Sequence, residues 1–311
     1  MAGLAKKLNA VHANSVNISV GRLDWTAFPW DRHPETEAVP GRDHVADAIS
    51  ALATDGSGQR RKITLTIDLL VPGWISKQPG VAGINFDGTR SADFASVSAL
   101  STGPVGDRLV DLVADVTKRC HPDAVALTEL MFENNTYGGD DRNSYRAATG
   151  ATDWPRTANG DIDVNNPSIG AWRSGAIAAL VTRAAAAAHA NGATLDMDVR
   201  ASWTDPELDR QVNGHDYGLL AAAADRLVVW DYFGLNAKPA GYSGDLARAM
   251  AARPGRFAIS VGLWADQGAI GAADLVAGLE AAAAGGAQAV AVTPASMMTD
   301  EAWQALGKAW A

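Results

Sequence analysis

Five carboxylates stand in or at the ends of apolar runs in this chain: Asp68 in 62–70, Glu129 in 123–132, Asp196 and Asp198 in 194–200, and Asp231 in 226–233. Runs of that length, rich in Val, Ile and Leu, read as buried strands. Carboxylates paired across a cleft are the usual apparatus of glycosidic-bond cleavage. One, kept protonated, gives its proton to the leaving oxygen; the other, kept ionised, attacks the anomeric carbon or activates water. Glu129 is the expected general acid/base and Asp231 the expected second carboxylate. Asp198 is expected beside them, raising the pKa of Glu129 by like charge or positioning a substrate group. Asp68 and Arg200 are expected to shape the site, and Asp196 to lie deeper, as a structural partner for Arg200 or for nearby backbone.

Of the 21 aromatic residues ten are Trp, and several fall where strands end or loops begin. A flat indole covers the apolar C–H face of a sugar ring, so Trp at loop edges fits a glycan cleft. Trp30, Trp74, Trp203 and Trp264, with Tyr137 and Tyr232, are the expected sugar contacts. The six histidines are scattered, with neither His-x-His nor His-Glu-x-x-His, and His215-Asp216 reads as a solvated pair in a loop or helix start. No metal site is expected from these spacings. Gly-x-Ser-x-Gly, Walker A and Gly-x-Gly-x-x-Gly patterns are all missing from the sequence, so no cofactor is expected either.

Charge and composition narrow the partner. A net charge of -9 with no Lys/Arg-rich block is the wrong field for a phosphate backbone, so nucleic acid is excluded and a neutral or cationic ligand fits better. Cys120 is the sole cysteine, which rules out an intrachain disulfide and a Cys-based zinc site. No apolar run approaches the length of a membrane span, and the opening residues read as the first turn of a helix rather than the apolar core of a signal peptide. Oligomeric state is not legible.

The elements that must hold these side chains alternate strand and helix. Strands are expected at 16–22, 62–70, 123–132, 194–201, 226–233, 256–264 and 287–293. Helices are expected at 2–13, 43–54, 105–119, 168–191, 206–224, 243–253, 271–285 and 300–310. Large loops at 23–41, 71–104 and 133–166 all follow strands. No linker interrupts the series, so one (β/α)-barrel domain over 1–311 is expected: a (β/α)8 TIM-type barrel whose first strand is missing, (β/α)7-like, with a doubly wound sheet as the competing architecture. Period-two alternation sorts the faces. Thr64, Thr66 and Asp68 oppose Leu65, Ile67 and Leu69; Asp196, Asp198 and Arg200 oppose Leu195, Met197 and Val199; Ala258, Ser260, Gly262 and Trp264 oppose Ile259, Val261 and Leu263. The small and polar faces should look into the barrel, bringing Asp68, Glu129 and Asp231 to one rim with Asp198 slightly deeper.

The run Asp123-Ala-Val-Ala-Leu-Thr-Glu-Leu-Met-Phe132 resembles the "D-G-hydrophobic-x-hydrophobic-D" strand of glycoside-hydrolase-like barrels. These include family-10-like bacterial lipoproteins and the hydrolase domain of poly-N-acetylglucosamine-processing proteins. Tyr137, Asp140, Asp141 and Tyr145 match the aromatic and acidic loop that follows, and Trp172-Arg173 the next helix. The segment 228–233 is similar to a later strand of that family, and 17–22 to an early one that follows a first strand not found here. Glu129 departs from the pattern, standing where Asp is typical, and the run 195–200 is unusually charged. The resemblance implies glycan hydrolysis, commonly outside the cytoplasm or in the cell envelope, with a cytoplasmic location still open. A non-catalytic carbohydrate-binding barrel and a metal-assisted lyase or aldolase are the rival readings.

Overall fold

The computed structural model describes residues 1–310. Its strands are β1 (Ser15–Arg22), β2 (Trp25–Thr26), β3 (Lys62–Asp68), β4 (Ala82–Ile84), β5 (Arg90–Ala95), β6 (Ala124–Thr128), β7 (Thr194–Arg200), β8 (Arg226–Asp231), β9 (Phe257–Gly262) and β10 (Val290–Thr293). The helices are α1 (Ala2–Ala10), α2 (His44–Leu52), α3 (Pro72–Lys77), α4 (Val97–Ser101), α5 (Pro104–Cys120), α6 (Gly139–Thr149), α7 (Pro167–His189), α8 (Tyr217–Ala223), α9 (Tyr242–Ala251), α10 (Ala272–Ala284) and α11 (Asp300–Ala309). All seven expected strands form, as β1, β3, β6, β7, β8, β9 and β10. They lie in that spatial order, parallel throughout, in one curled sheet that makes a TIM-like half-barrel. β1 and β10 do not pair with each other. Short β2 extends the β1 side in antiparallel fashion at Gly21 and Arg22.

Alternation builds the layers as expected. Ile63, Leu65 and Ile67 of β3 and Leu195, Met197 and Val199 of β7 are buried toward the helices. Each such side chain contributes about 1.5–3 kcal/mol of burial. Their alternates, Thr64, Thr66 and Asp68 or Asp196, Asp198 and Arg200, look into the barrel. Helix α5 supplies the opposing surface with Leu109, Leu112, Val113 and Val116, all fully buried; Pro104 opens it and His121, left-handed at φ 47°, closes it. Helix α7 starts with the Asn166 side chain accepting from the Ser168 N–H, and buries Ala184, Ala185 and Ala188, small side chains that let it sit close to the sheet. Outside the unpaired sheet ends, Lys7 of α1 bonds Asp300 of α11 at 2.8 Å.

Three loops hold more than periodicity shows. The stretch 71–104 contains α3, α4 and the β4–β5 hairpin, turned at Asp87-Gly88 with Gly88 at φ 84°. The stretch 133–166 contains α6, a helix so polar that only Asp141 and Tyr145 are buried, which hides its period. The helix expected at 206–224 is instead a loop up to Asp216, followed by α8 alone. Gly214 at φ 82° breaks the run, and Asp216 caps α8 by accepting from the Leu219 N–H.

Candidate active site

Side-chain direction at the carboxyl ends of the strands follows from register, because partnered residues of a parallel pair point the same way. Asp68 pairs with Thr128 and Arg22, Asp198 with Val228, and Arg200 with Trp230. Trp230 pairs with Ser260, and Thr293 with Gly262. The mouth is therefore lined by Arg22, Asp68, Thr128, Asp198, Arg200 and Trp230, with Tyr232 one alternate further out.

Glu129 stands at the first position past β6 in the left-handed conformation, φ 57°. Such backbone is uncommon for a residue with a Cβ and is characteristic of functional positions. It turns the carboxylate over the mouth, 27% exposed, with Oε2 3.7 Å from Arg200 Nη2. Burial raises the Glu129 pKa; Arg200 opposes the shift, while the charges of Asp68 and Glu133 reinforce it. Asp198 sits deeper, and burial pushes its carboxyl up to about 7, with the charges of Asp196 and Glu129 adding to the rise and the Thr128 and Trp230 side chains working against it. Asp68 is different in kind: its Oδ2 takes Arg22 Nε at 2.9 Å and its Oδ1 the Leu70 N–H at 2.9 Å. Two recessed acids with raised pKa values and one ion-paired acid thus share one rim.

An aromatic wall completes this side of the mouth. Trp230 and Tyr232 stack at 5.3 Å and 12°, and Trp264 leans on Tyr232 at 5.1 Å. The Arg200 guanidinium lies 5.1 Å from the Trp230 ring centre, and its Nε is 2.9 Å from Met131 Sδ. Burial raises the Tyr232 pKa, as do the charges of Asp198 and Glu129. The ring of Tyr232 fits only because residue 262 is glycine, since a Cβ there would fall 2.1 Å from Tyr232 Cδ1.

Several expectations are corrected. Asp231 does not reach this rim: Val228 and Trp230 face inward, so Asp231 shares the helix-facing side with Leu227 and Val229. There it is fully buried, with no hydrogen-bond partner on either oxygen, and burial pushes it up to about 6. β8 is apolar on both faces, which left its parity unreadable from sequence. Asp196 pairs with Arg226 rather than Arg200. Trp30 is buried with its indole N–H donating to Asp115 Oδ2 at 2.8 Å, and Trp74 is buried beneath the Arg108 guanidinium, 4.0 Å from its ring centre; neither offers a face to a sugar. His215 is not solvated but 2% exposed. Tyr137 is held by Arg173 at 3.1 Å and edge-on to Trp154, and Trp203 stacks on Tyr242 at 5.7 Å, so both take part in loop packing.

Residues not expected in the site include Trp230, Met131, Arg22 and the loop 211–216, of which the sequence marks only His215-Asp216, as a solvated pair. The Asn213-Gly214 pair was the available sign that 206–224 is broken. Among the described residues no group of three or more His, Cys, Asp or Glu side chains is placed to hold a metal ion. No helix among them is long and apolar enough to cross a membrane.

The fold is similar to that of several solved glycoside hydrolases. The glycoside hydrolase domain of PgaB (BpsB) from Bordetella bronchiseptica superposes with a TM-score of 0.72 at 12% identity, covering 99% of this chain and 92% of that one. The catalytic domain of a beta-amylase from Paenibacillus polymyxa gives 0.64 at 13% identity, covering 98% and 93%. A chitinase from Chromobacterium violaceum gives 0.57 at 14% identity, covering 100% and 96%. No protein-family model matches the chain, and no curated protein matches it in sequence.

Proposed function

We propose that the protein is a glycoside hydrolase that cleaves a polysaccharide at the mouth of the half-barrel, with Glu129 and Asp198 as its carboxylate pair. The observation that carries this reading is the convergence of Asp68, Glu129 and Asp198 on one rim beside the Trp230–Tyr232–Trp264 wall. Glycosidases need two acids, one of them protonated at working pH. Burial raises both carboxyls and the charge of Glu129 adds to the rise at Asp198, which favours a protonated acid beside an ionised one. Glu129, the outer of the two, delivers its proton to the leaving oxygen. Asp198, ionised, faces the developing positive charge of the sugar ring, and the water that adds to the anomeric carbon gives up its proton to a carboxylate of the pair, restoring the starting state. Arg200 orients Glu129, Asp68 is braced by Arg22, and the aromatic wall takes the C–H face of a sugar. A glycan of the cell wall or of the surroundings, as substrate, would be met outside the cytoplasm or in the cell envelope.

The test is reducing-end release from maltoheptaose, chitohexaose and partially de-N-acetylated chitosan by wild type, Glu129→Gln and Asp198→Asn. Wild type is expected to cleave at least one, and each variant to lose on the order of 10²–10⁴-fold in kcat. Full activity in both variants, or binding without cleavage by wild type, would overturn the assignment; activity lost to EDTA would point to metal-assisted chemistry instead.

A further inference from the structure

We propose that His215 is a positioning residue of this site, a splint that ties the turn carrying Glu129 to the end of the strand carrying Arg200. The proposal rests on the reading of those two residues given above. The Arg200 main-chain N–H donates to His215 Nδ1 at 3.0 Å, and His215 Nε2 lies 3.0 Å from the Leu130 carbonyl oxygen. An N–H can only donate and a carbonyl can only accept, so Nδ1 is bare and Nε2 carries the proton. Both ring nitrogens are thereby occupied by backbone. His215 has no free valence for a substrate, and its role is to fix other groups.

What it fixes is the pair of residues at the rim. Leu130 immediately follows Glu129, whose left-handed backbone is the strained point of the turn. Arg200 supplies the guanidinium 3.7 Å from the Glu129 carboxylate. The same loop grips the turn beyond Leu130 as well. The Phe132 N–H donates to the Asn213 carbonyl at 2.9 Å, and Asn213 Nδ2 donates back to the Phe132 carbonyl at 2.8 Å. Arg173, 1% exposed, donates from Nη1 to the Val212 carbonyl at 2.6 Å and from Nη2 to Thr136 Oγ1 at 2.6 Å. Tyr217 donates its hydroxyl to the Arg200 carbonyl. Glycine at 214 permits this course, since a Cβ there would fall 2.6 Å from Ile177 Cδ1. Burial, together with the facing charges of Arg200 and Arg210, holds the imidazole down to about 4, so the bare Nδ1 acceptor persists through neutral pH.

Three variants separate positioning from mere loop packing. His215→Phe keeps the ring volume and loses both hydrogen bonds, His215→Ala loses both and the volume, and His215→Asn keeps an acceptor for the Arg200 N–H. Carboxyl NMR titration of Glu129 reads the geometry without any substrate. Arg200 draws the Glu129 midpoint down, so freeing Arg200 should move it up in the Phe and Ala variants, on the order of half a pH unit. The Asn variant should stay near wild type. On whichever of maltoheptaose or chitohexaose wild type hydrolyses, kcat should fall on the order of 10²-fold in His215→Phe with KM little changed. In wild type, nitrogen NMR should show the Nε2–H tautomer. An Nδ1–H tautomer, or an unmoved Glu129 midpoint in folded His215→Phe, would overturn the proposal. If wild type hydrolyses neither of these two glycans nor the partially de-N-acetylated chitosan, the glycosidase reading falls, while the tautomer and the titration still decide whether His215 positions Glu129 and Arg200.

Discussion

The two ends of the barrel strands treat charge in opposite ways. At the amino-terminal end every buried or half-buried charge is answered. Asp196 takes two bonds from Arg226, Asp123 takes Arg60 and the Ile63 N–H, and Asp225 takes His189 and the Leu195 N–H. Arg61, 1% exposed, spends its guanidinium on the carbonyls of Ala13, Leu52 and Thr54 and on Asn9, closing the carboxyl ends of α1 and α2 where helix dipoles favour a cation. At the carboxyl-terminal end Asp198 and Glu129 are recessed with raised pKa values, and the nearest cation to Glu129 is 3.7 Å off. A fold gains nothing from such acids; their cost is the signature of a site kept ready for a ligand.

Cutting an answered pair at the base gives the largest expected effect on stability. Arg226→Ala leaves Asp196, whose side chain is 3% exposed, without its partner. Breaking a buried pair from one side costs about 3–5 kcal/mol. Urea unfolding should show that loss, while glycan cleavage per folded molecule stays at the wild-type level. A matching fall in kcat would mean that the base and the mouth are not separate in function.

Asp231 tests whether an unanswered acid can be purely structural. Its folded pKa, about 6, lies above the ordinary 3.8, so between those values the folded state holds the proton more tightly than the unfolded chain. Stability therefore falls as pH rises from about 4 to 6, and the penalty is complete above 6. Converted at 1.36 kcal/mol per unit, it amounts to about 3 kcal/mol. Asp231→Asn should be more stable than wild type at pH 8 by up to about that amount, with the gain vanishing near pH 4, and its glycan cleavage should be unchanged. Lost cleavage in a stable Asp231→Asn protein would return Asp231 to the site.

The seven parallel strands were legible as apolar runs, and most facing directions because three of them alternate apolar with small or polar residues: Thr64, Thr66 and Asp68; Asp196, Asp198 and Arg200; Ala258, Ser260 and Gly262. The parity of β8 was not, since Leu227, Val228, Val229 and Trp230 are all apolar and either face can be buried. That ambiguity alone moved Asp231 to the rim and kept Trp230 out of it. The loop 211–216 was hidden for a different reason. The Ala-rich stretch after it reads as helix, and His215 bonds Leu130, 85 positions away in sequence, a contact that no local pattern reports.

The smallest effect separates tryptophans that serve the mouth from those that only look placed to do so. Trp30 follows a strand and sits in a Pro-rich loop, as a sugar contact would, yet it donates to Asp115 on α5 and meets His33 edge-on at 4.5 Å. Trp30→Phe keeps most of the buried ring and loses one hydrogen bond to a carboxylate, worth about 1–3 kcal/mol. Urea unfolding should register that loss, with kcat/KM for the cleaved glycan within about twofold of wild type. Trp264→Phe should do the reverse, sparing stability and lowering kcat/KM, because the Trp264 ring leans on Tyr232 beside Glu129 and Asp198. Equal effects from the two substitutions would erase the distinction between framework and cleft on which the aromatic assignment stands.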